Sequence, residues 1–456
     1  MQPKKTTARD MTQGSIVKQL IQFSLPLMLG NVFQMLYNTV DSVVVGNFVG
    51  TQALAAVGST TMIVNIMVFF FNGFATGASV VIARRFGARD QQQLHTAVQT
   101  TMATTFVLAV FFTVIGLIGV EPMLRLMATP EDVFGEAAIY LRIYIAGFSG
   151  LVIYNMCSGI LRAVGDTTRP LYFLILTSVL NIVLDLFFVL KLHMGIAGVA
   201  YATIISQFVS AGLTLLLLSS TRDIYRLNWK GLSINTQVLG QIVAVGLPAA
   251  IQSVITSFSN VFVQSYINAF GSQCMAGWSA YNKLDQFILL PMQSLAMAAT
   301  TFVSQNIGAN QQKRASKGTV ASVSLSLGVT AVIILAVCIF AAPAITLFTP
   351  DEAVIEFGVL FVRTNFVFLL FNCVNHVLAG ALRGRGDSTA PMAIMLITFV
   401  GLRQIYLFVV TRFVANTPAL VGFGYPVGWM ACCVIEVAYY FIRWGRKNPA
   451  APADCW

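Results

Sequence analysis

The chain has 456 residues, 57% of them hydrophobic and 10% charged, with a formal charge of +10 and a mean hydropathy of +0.78. Soluble proteins carry roughly 45–50% apolar and about 25% charged residues, so a water-soluble domain is excluded. Because the bias runs the whole length, a soluble enzyme on a single anchor is excluded too. The 27 basic residues against 17 acidic ones would suit a nucleic-acid partner in a soluble protein, but here their placement decides their meaning.

No Asp, Glu, Lys or Arg occurs from Gln19 to Val40, Ser42 to Ala83, Gln91 to Val120, Leu192 to Thr221, Gly231 to Asn282 or Gly318 to Pro350. About 20 apolar residues cross a bilayer as a helix, so the longest runs hold more than one crossing. Gly46-Asn47 with Gly50 breaks the second run and Gly271-Ser272 the fifth. Twelve helices are predicted, over 15–45, 53–83, 93–119, 134–161, 170–190, 195–219, 237–267, 275–304, 316–341, 354–382, 391–411 and 420–443. A β-barrel would instead alternate polar and apolar residues over about 10 positions at a time.

Lys and Arg in short loops set orientation. One side receives Lys4, Lys5, Arg9, Lys18, Arg84, Arg85, Arg89, Arg162, Arg169, Arg222, Arg226, Lys230, Lys313, Arg314, Lys317, Arg383, Arg385, Arg443, Arg446 and Lys447. The other receives Arg125, Lys191 and Arg412. Both termini are therefore expected in the cytoplasm, and most of the positive charge is topology rather than a nucleic-acid patch. The polar start runs into the first apolar stretch without a small-residue cleavage site, so no cleaved signal peptide is expected. Seven cysteines, mostly within spans and without CxxC spacing, read as small buried side chains.

The chain is written twice. Gly159-Ile-Leu-Arg-Ala-Val-Gly-Asp-Thr-Thr-Arg-Pro170 returns as Gly380-Ala-Leu-Arg-Gly-Arg-Gly-Asp-Ser-Thr-Ala-Pro391, identical at seven of twelve positions at a shift of 221. Within one residue of that shift, Leu25-Pro26 pairs with Leu247-Pro248, Gly87-Ala88 with Gly308-Ala309, Thr129-Pro130 with Thr349-Pro350, and Arg142 with Arg363. Each half holds six spans, an even number, so both enter the membrane from the same side as parallel repeats, a transporter architecture. The predicted organisation is a cytoplasmic tail over 1–14, a first lobe over 15–221, a cytoplasmic linker over 222–236, a second lobe over 237–445 and a tail over 446–456.

The Leu-Pro opening of the first helix, Asp41-Ser-Val-Val-Val-Gly46, Ala53-Leu-Ala-Ala-Val-Gly58 and the paired Leu-Arg-x-x-Gly-Asp loops resemble the multidrug and toxic compound extrusion (MATE) family over residues 15 to 445. Tyr281-Asn-Lys-Leu-Asp-Gln286 resembles its DinF-like branch. The resemblance implies an all-α membrane fold of two six-helix lobes around a central cleft. It also implies antiport of amphipathic, usually cationic compounds against H+ or Na+, with no other cofactor.

A charge at mid-bilayer is costly, so each one is a functional candidate. Asp41, Asp185, Asp285 and Glu436 qualify. Gln34, Tyr37 and Asn38 share the helical face of Asp41, and Asn181 that of Asp185. Thr203 on the sixth helix adds a hydroxyl. Two facing carboxylates in a dry bundle cannot both ionise cheaply, so the pair should take a proton or hold Na+ with amide and hydroxyl help. In the family one cation site uses this residue set, which Asp41, Asn181, Asp185 and Thr203 match position by position. Without coupling, these acids would simply be satisfied by their Asn, Thr and Tyr neighbours.

Gln34, Tyr37, Asn38, Asn155 and Met156 are the candidates for contact with substrate. Lys283 and Asp285, two apart and so on different faces, form a candidate second charge site, either a structural pair with other helices or a group facing the cavity. Glu436, within two turns of Arg443, is expected at the cytoplasmic interface, and Arg142 and Arg363 are expected to snorkel to the outer one. Another branch of the family uses acids on helices 7 and 10. Here those helices offer Gln252, Asn260, Gln264, Asn372, Asn375 and His376, and no carboxylate. Pro26 and Pro248 each remove one helical hydrogen bond, which permits a kink.

A flippase for a lipid-linked precursor is the alternative transporter reading, disfavoured by acids where basic cavity residues would hold a pyrophosphate. No HExxH motif, Ser/His pair or phosphate loop points to an enzyme, and the duplicated lobes argue against a channel or receptor. The expected setting is a multi-pass monomer in a prokaryotic plasma membrane, in contact with lipids, small molecules and no nucleic acid.

Overall fold

The computed structural model describes residues 9–445. The expected tail over 446–456, and Lys4, Lys5, Arg446, Lys447 and Cys455, lie outside the described residues. Within them the chain is all helix and turn, with twelve helices long and apolar enough to span a membrane. They are α1 (Ile16–Val49), α2 (Thr51–Gly87), α3 (Gln91–Leu126), α4 (Glu131–Ala163), α5 (Thr168–Lys191) and α6 (Gly195–Ser220). The second half supplies α7 (Thr236–Asn268), α8 (Ser272–Gly308), α9 (Gln312–Ile339), α10 (Glu352–Gly384), α11 (Thr389–Val414) and α12 (Pro418–Trp444). Every predicted span has its helix, and most extend beyond the prediction. α3, for instance, runs on past Glu121, Pro122 and Arg125, because a helix continues into water where the uncharged run stops.

Large apolar side chains face outward throughout. Val107, Val110, Phe111, Val114, Ile115 and Ile118 lay one exposed stripe along α3 at helical spacing, as a surface solvated by lipid requires. Polar side chains turn inward instead: Ser322, Ser326 and Thr330 of α9 are fully buried, and the Thr300 and Ser304 hydroxyls of α8 donate to the Gly380 and Gly384 carbonyls of α10.

The chain divides into two compact units, one built on Leu25–Gly246 and the other on Thr12–Ser24 and the residues from Leu247 on. The divisions fall inside α1 and α7, each one residue before a proline, Pro26 and Pro248. In the first unit α4 packs against α2, α3 and α6; in the second, α8 packs against α9 and α10. Residues 222–236 join the first unit's core: Tyr225 and Leu227 are buried there, the Tyr225 hydroxyl donates to Asp223 at 2.9 Å, and the Trp229 indole donates to Ser219 Oγ at 2.9 Å.

The duplicated loop has one mechanical job in both units. Gly165 (φ 84°) and Gly386 (φ 92°) take the left-handed conformation that ends α4 and α10. Asp166 then accepts the Thr168 and Arg169 amides at 3.2 Å, and Asp387 that of Ala390 at 3.2 Å, capping α5 and α11. Asp166 also pairs with Arg169 at 3.3 Å, and Asp387 accepts the Tyr439 hydroxyl at 2.6 Å.

α2 and the first half of α7 touch backbone to backbone at Gly77, where a Cβ would lie 2.3 Å from the Ile242 carbonyl oxygen and 2.7 Å from the Gly246 nitrogen. Overpacking of this kind costs about 1–3 kcal/mol. Gly77→Ala is therefore expected to destabilise the detergent-solubilised protein by that amount. Gly212→Ala, with nothing within 4 Å of its Cβ, should be neutral or stabilising. Denaturant unfolding of the two variants side by side checks the contrast.

Candidate functional site

α1 and α5 run in the same direction through the first unit and bring Asp41 and Asp185 together, their carboxyl groups within hydrogen-bonding reach of each other. Asp185 is fully buried, and neither of its oxygens receives a bond from any other described residue; Asp41 Oδ1 is shielded likewise. Two carboxyls this close form a hydrogen bond only by sharing a proton, or are bridged by a cation. Asn181, one turn below Asp185, is buried with both amide atoms unpartnered. Thr203 is buried on α6, its hydroxyl donating to the Val199 carbonyl at 3.0 Å. No hydrogen bond among the described residues joins it to the acids, although its oxygen keeps lone pairs for a cation.

α4 supplies what a search for charges overlooked. Tyr140 lies in electrostatic reach of both acids and of Tyr37, and its ring is 6.1 Å from that of Tyr144, one turn along. Tyr144 is close to Asp41 and to the Gln207 side chain of α6, and Tyr37 stands beside Gln34. The i, i+4 spacing of Tyr140 and Tyr144 was the available signal. Below the acids, Ser210 donates to Thr177 at 2.8 Å, while the buried Ser178 and Ser206 hydroxyls have no partner among the described residues. The α5–α6 seam is thus polar and incompletely satisfied inside an apolar bundle.

The other predicted residues separate. Gln34 and Asn38 are exposed and Tyr37 and Asn155 half-buried, so all four keep accessible surface. Met156 does not: it is 1% exposed and lies in the core with Phe71 and Phe148. Lys283 and Asp285 do not form one site. The Lys283 ammonium is exposed, 5.2 Å above the Phe348 ring, whereas Asp285 turns toward Tyr281 and Tyr425. Glu436 departs from its expected interfacial place: it is fully buried, with Arg383 of α10 as the nearby opposite charge. Distance along a helix to Arg443 said nothing about lateral neighbours. Arg142 pairs with Glu121, both about half exposed, and Arg363 is exposed. The described cysteines are free thiols.

A duplicated twelve-helix bundle with an acid pair buried in one half is the architecture of a secondary membrane transporter. The chain belongs to the multidrug and toxic compound extrusion family: the family model described as MatE matches residues 26–187 and 248–409. It is 30% identical over 444 residues to a Bacillus subtilis protein named as the probable multidrug resistance protein YpnP, covering 96% of this chain and 97% of that one. It is 29% identical over 445 residues to that organism's probable multidrug resistance protein YoeA, covering 96% of each. A solved outward-facing structure of a multidrug resistance MATE family transporter of the MOP superfamily superposes with a TM-score of 0.91 at 24% identity, over 97% of this chain and 99% of that one, a likeness of fold.

Buried polar atoms without partners destabilise a protein by about 1–3 kcal/mol each, and an apolar replacement of similar shape recovers part of that. Asn181→Leu is therefore expected to raise the protein's unfolding free energy by about 1 kcal/mol. A lower unfolding midpoint for Asn181→Leu in detergent would show that the amide is satisfied after all.

Proposed function

We propose that this protein exports amphipathic, often cationic compounds by alternating-access antiport against H+ or Na+. The observation that carries the reading is the Asp41–Asp185 pair, two buried carboxyls facing one another with no donor supplied by other described residues. With a proton or Na+ between them the pair carries one negative charge instead of two, and its hold on a cationic compound is weaker. Once the coupling ion leaves, the negative charge attracts the compound, and return of the ion expels it. Carboxylate and amide oxygens from Asp41, Asp185 and Asn181, with the Thr203 hydroxyl, are the hard ligands Na+ prefers, while the shared-proton geometry suits H+ equally. Tyr37, Tyr140 and Tyr144 give the pair aromatic walls and hydroxyl dipoles, and Gln34, Asn38 and Asn155 supply the adaptable polar contacts of a site serving many substrates.

The same reading places the protein as a monomer in a prokaryotic plasma membrane with both termini cytoplasmic, and the Tyr281–Gln286 segment supports the DinF-like branch. The acid pair disfavours a flippase for a pyrophosphate-linked lipid, since like charges would repel.

Proteoliposomes loaded with ethidium and given a pH gradient or a Na+ gradient in turn provide the test. Asp41→Asn and Asp185→Asn are each expected to lower gradient-driven efflux at least tenfold while the protein still inserts and folds. Wild-type rates in both variants, or wild-type efflux indifferent to both gradients, would refute the coupling assignment. Tyr144→Phe, which keeps the ring and removes the hydroxyl, is expected to slow efflux several-fold and to shift its pH profile, read in the same assay.

A further inference from the structure

The duplication makes it possible to ask what the second unit carries where the first carries its acids. α7 follows α1 at the shift of 222 set by Leu25-Pro26 and Leu247-Pro248, so Tyr37, Asn38 and Asp41 correspond to Ser259, Asn260 and Val263. α11 follows α5 at 221 from Pro170 and Pro391. It then passes through a π-helical segment, Leu396–Leu402, where α5 is regular α-helix. A π-bulge adds one residue to a helix, so beyond it Asn181 and Asp185 correspond to Arg403 and Leu407. The acid pair is thus replaced by Val263 and Leu407, both fully buried in the apolar core. A guanidinium stands one turn below, at the position of Asn181.

Arg403 is 1% exposed. Its Nη1 donates to Ser259 Oγ at 3.3 Å and Asn260 Oδ1 at 3.1 Å, the residues that correspond to Tyr37 and Asn38. Its Cζ lies 4.4 Å from the Tyr425 ring centre and 5.0 Å from that of Phe399. No carboxylate closes on it: the ion pairs among the described residues join Arg89 to Asp10, Arg142 to Glu121 and Arg169 to Asp166. Its Nε has no acceptor among the described residues. In electrostatic reach is Tyr281, buried, and within hydrogen-bonding reach of its hydroxyl is Asn365, fully buried; apart from each other, neither side chain has a hydrogen-bond partner among the described residues. Asp285 lies in reach of Tyr281 and Tyr425, but not against the guanidinium.

We propose that Arg403, Tyr281 and Asn365 form a subsite in the second unit that binds the carboxylate of an organic acid or zwitterion. A buried guanidinium is costly without a counter-anion, and the free Nε–H, the tyrosine O–H and the asparagine N–H are the donors a carboxylate takes. Phe399, Tyr425 and Trp278 supply an apolar surround for the body of such a molecule; the Trp278 and Tyr281 rings stack at 4.8 Å. The two halves of the duplicated chain then differ in sign, one suited to cations and the other to anions. The proposal does not depend on the coupling role of Asp41 and Asp185.

Trp278 makes the subsite observable. The full-length protein in nanodiscs is titrated with sodium benzoate while tryptophan emission is followed, with Trp278→Phe identifying the responding signal. Benzylammonium chloride and sodium chloride at matched concentrations serve as comparisons. Benzoate is expected to give a saturable change, and neither comparison salt should reproduce it. Arg403→Gln, which retains donors for Ser259 and Asn260, is expected to weaken benzoate binding at least tenfold. Asn365→Leu, which leaves the arginine untouched, is expected to weaken it several-fold. The proposal is overturned by no saturable change in the wild type, by an equal response to chloride, or by unaltered benzoate affinity in both variants. It is also overturned if Arg403→Gln is restored in stability and in benzoate affinity by adding Asp285→Asn, since Arg403 would then be a counter-ion for Asp285.

Discussion

The first unit is organised around two carboxyl groups that meet where water is scarce. In water a pair of aspartates a few ångströms apart repels weakly; in a low-dielectric interior the same pair can stay together only with a cation between them. The surrounding helices serve that constraint. α1 and α5 enter the membrane in parallel and present one acid each, α4 closes the site with Tyr140 and Tyr144, and α6 contributes Thr203 and Gln207. The amide of Asn181 and the hydroxyls of Ser178 and Ser206, without partners among the described residues, are stability given up beside the acid pair, a pattern common at functional sites.

The capping loops show how much of such a fold is decided locally. Gly165 and Gly386 stop one helix, and Asp166 and Asp387 start the next, so a four-residue signature fixes a helical reversal twice. The loop motif that most plainly reveals the duplication is therefore structural, and the buried acid pair lies on other stretches of the chain.

The spans, the repeat and the acid pair were legible because each rests on a one-dimensional signal: an absence of charge, a fixed shift, and a carboxylate in an apolar run. Lateral information was not available in that form. Glu436 looked interfacial because Arg443 is near in sequence, yet its neighbouring charge is Arg383 on another helix. Met156 read as an adaptable contact, but its side chain faces the core. Tyr140 and Tyr144 are uncharged and so escaped a search for charges. The linker looked like an excursion into water, while Tyr225 and Leu227 bind it to the first unit's core. Arg403 is a basic residue inside a span, but only the π-helical segment of α11 sets its correspondence with Asn181.

That segment has a consequence for how the two halves of the gene came to differ. An extra residue in an unbroken helix would turn every later side chain by about 100°, whereas the widened turn at Leu396–Leu402 takes the residue up and keeps the rest of α11 on the faces its counterparts in α5 hold. The halves then differ by substitution at matched places, with Arg403 where the first has Asn181 and Leu407 where it has Asp185. A bulge of this kind lets one copy of a duplicated helix gain a residue without disturbing the side chains it offers to the interior.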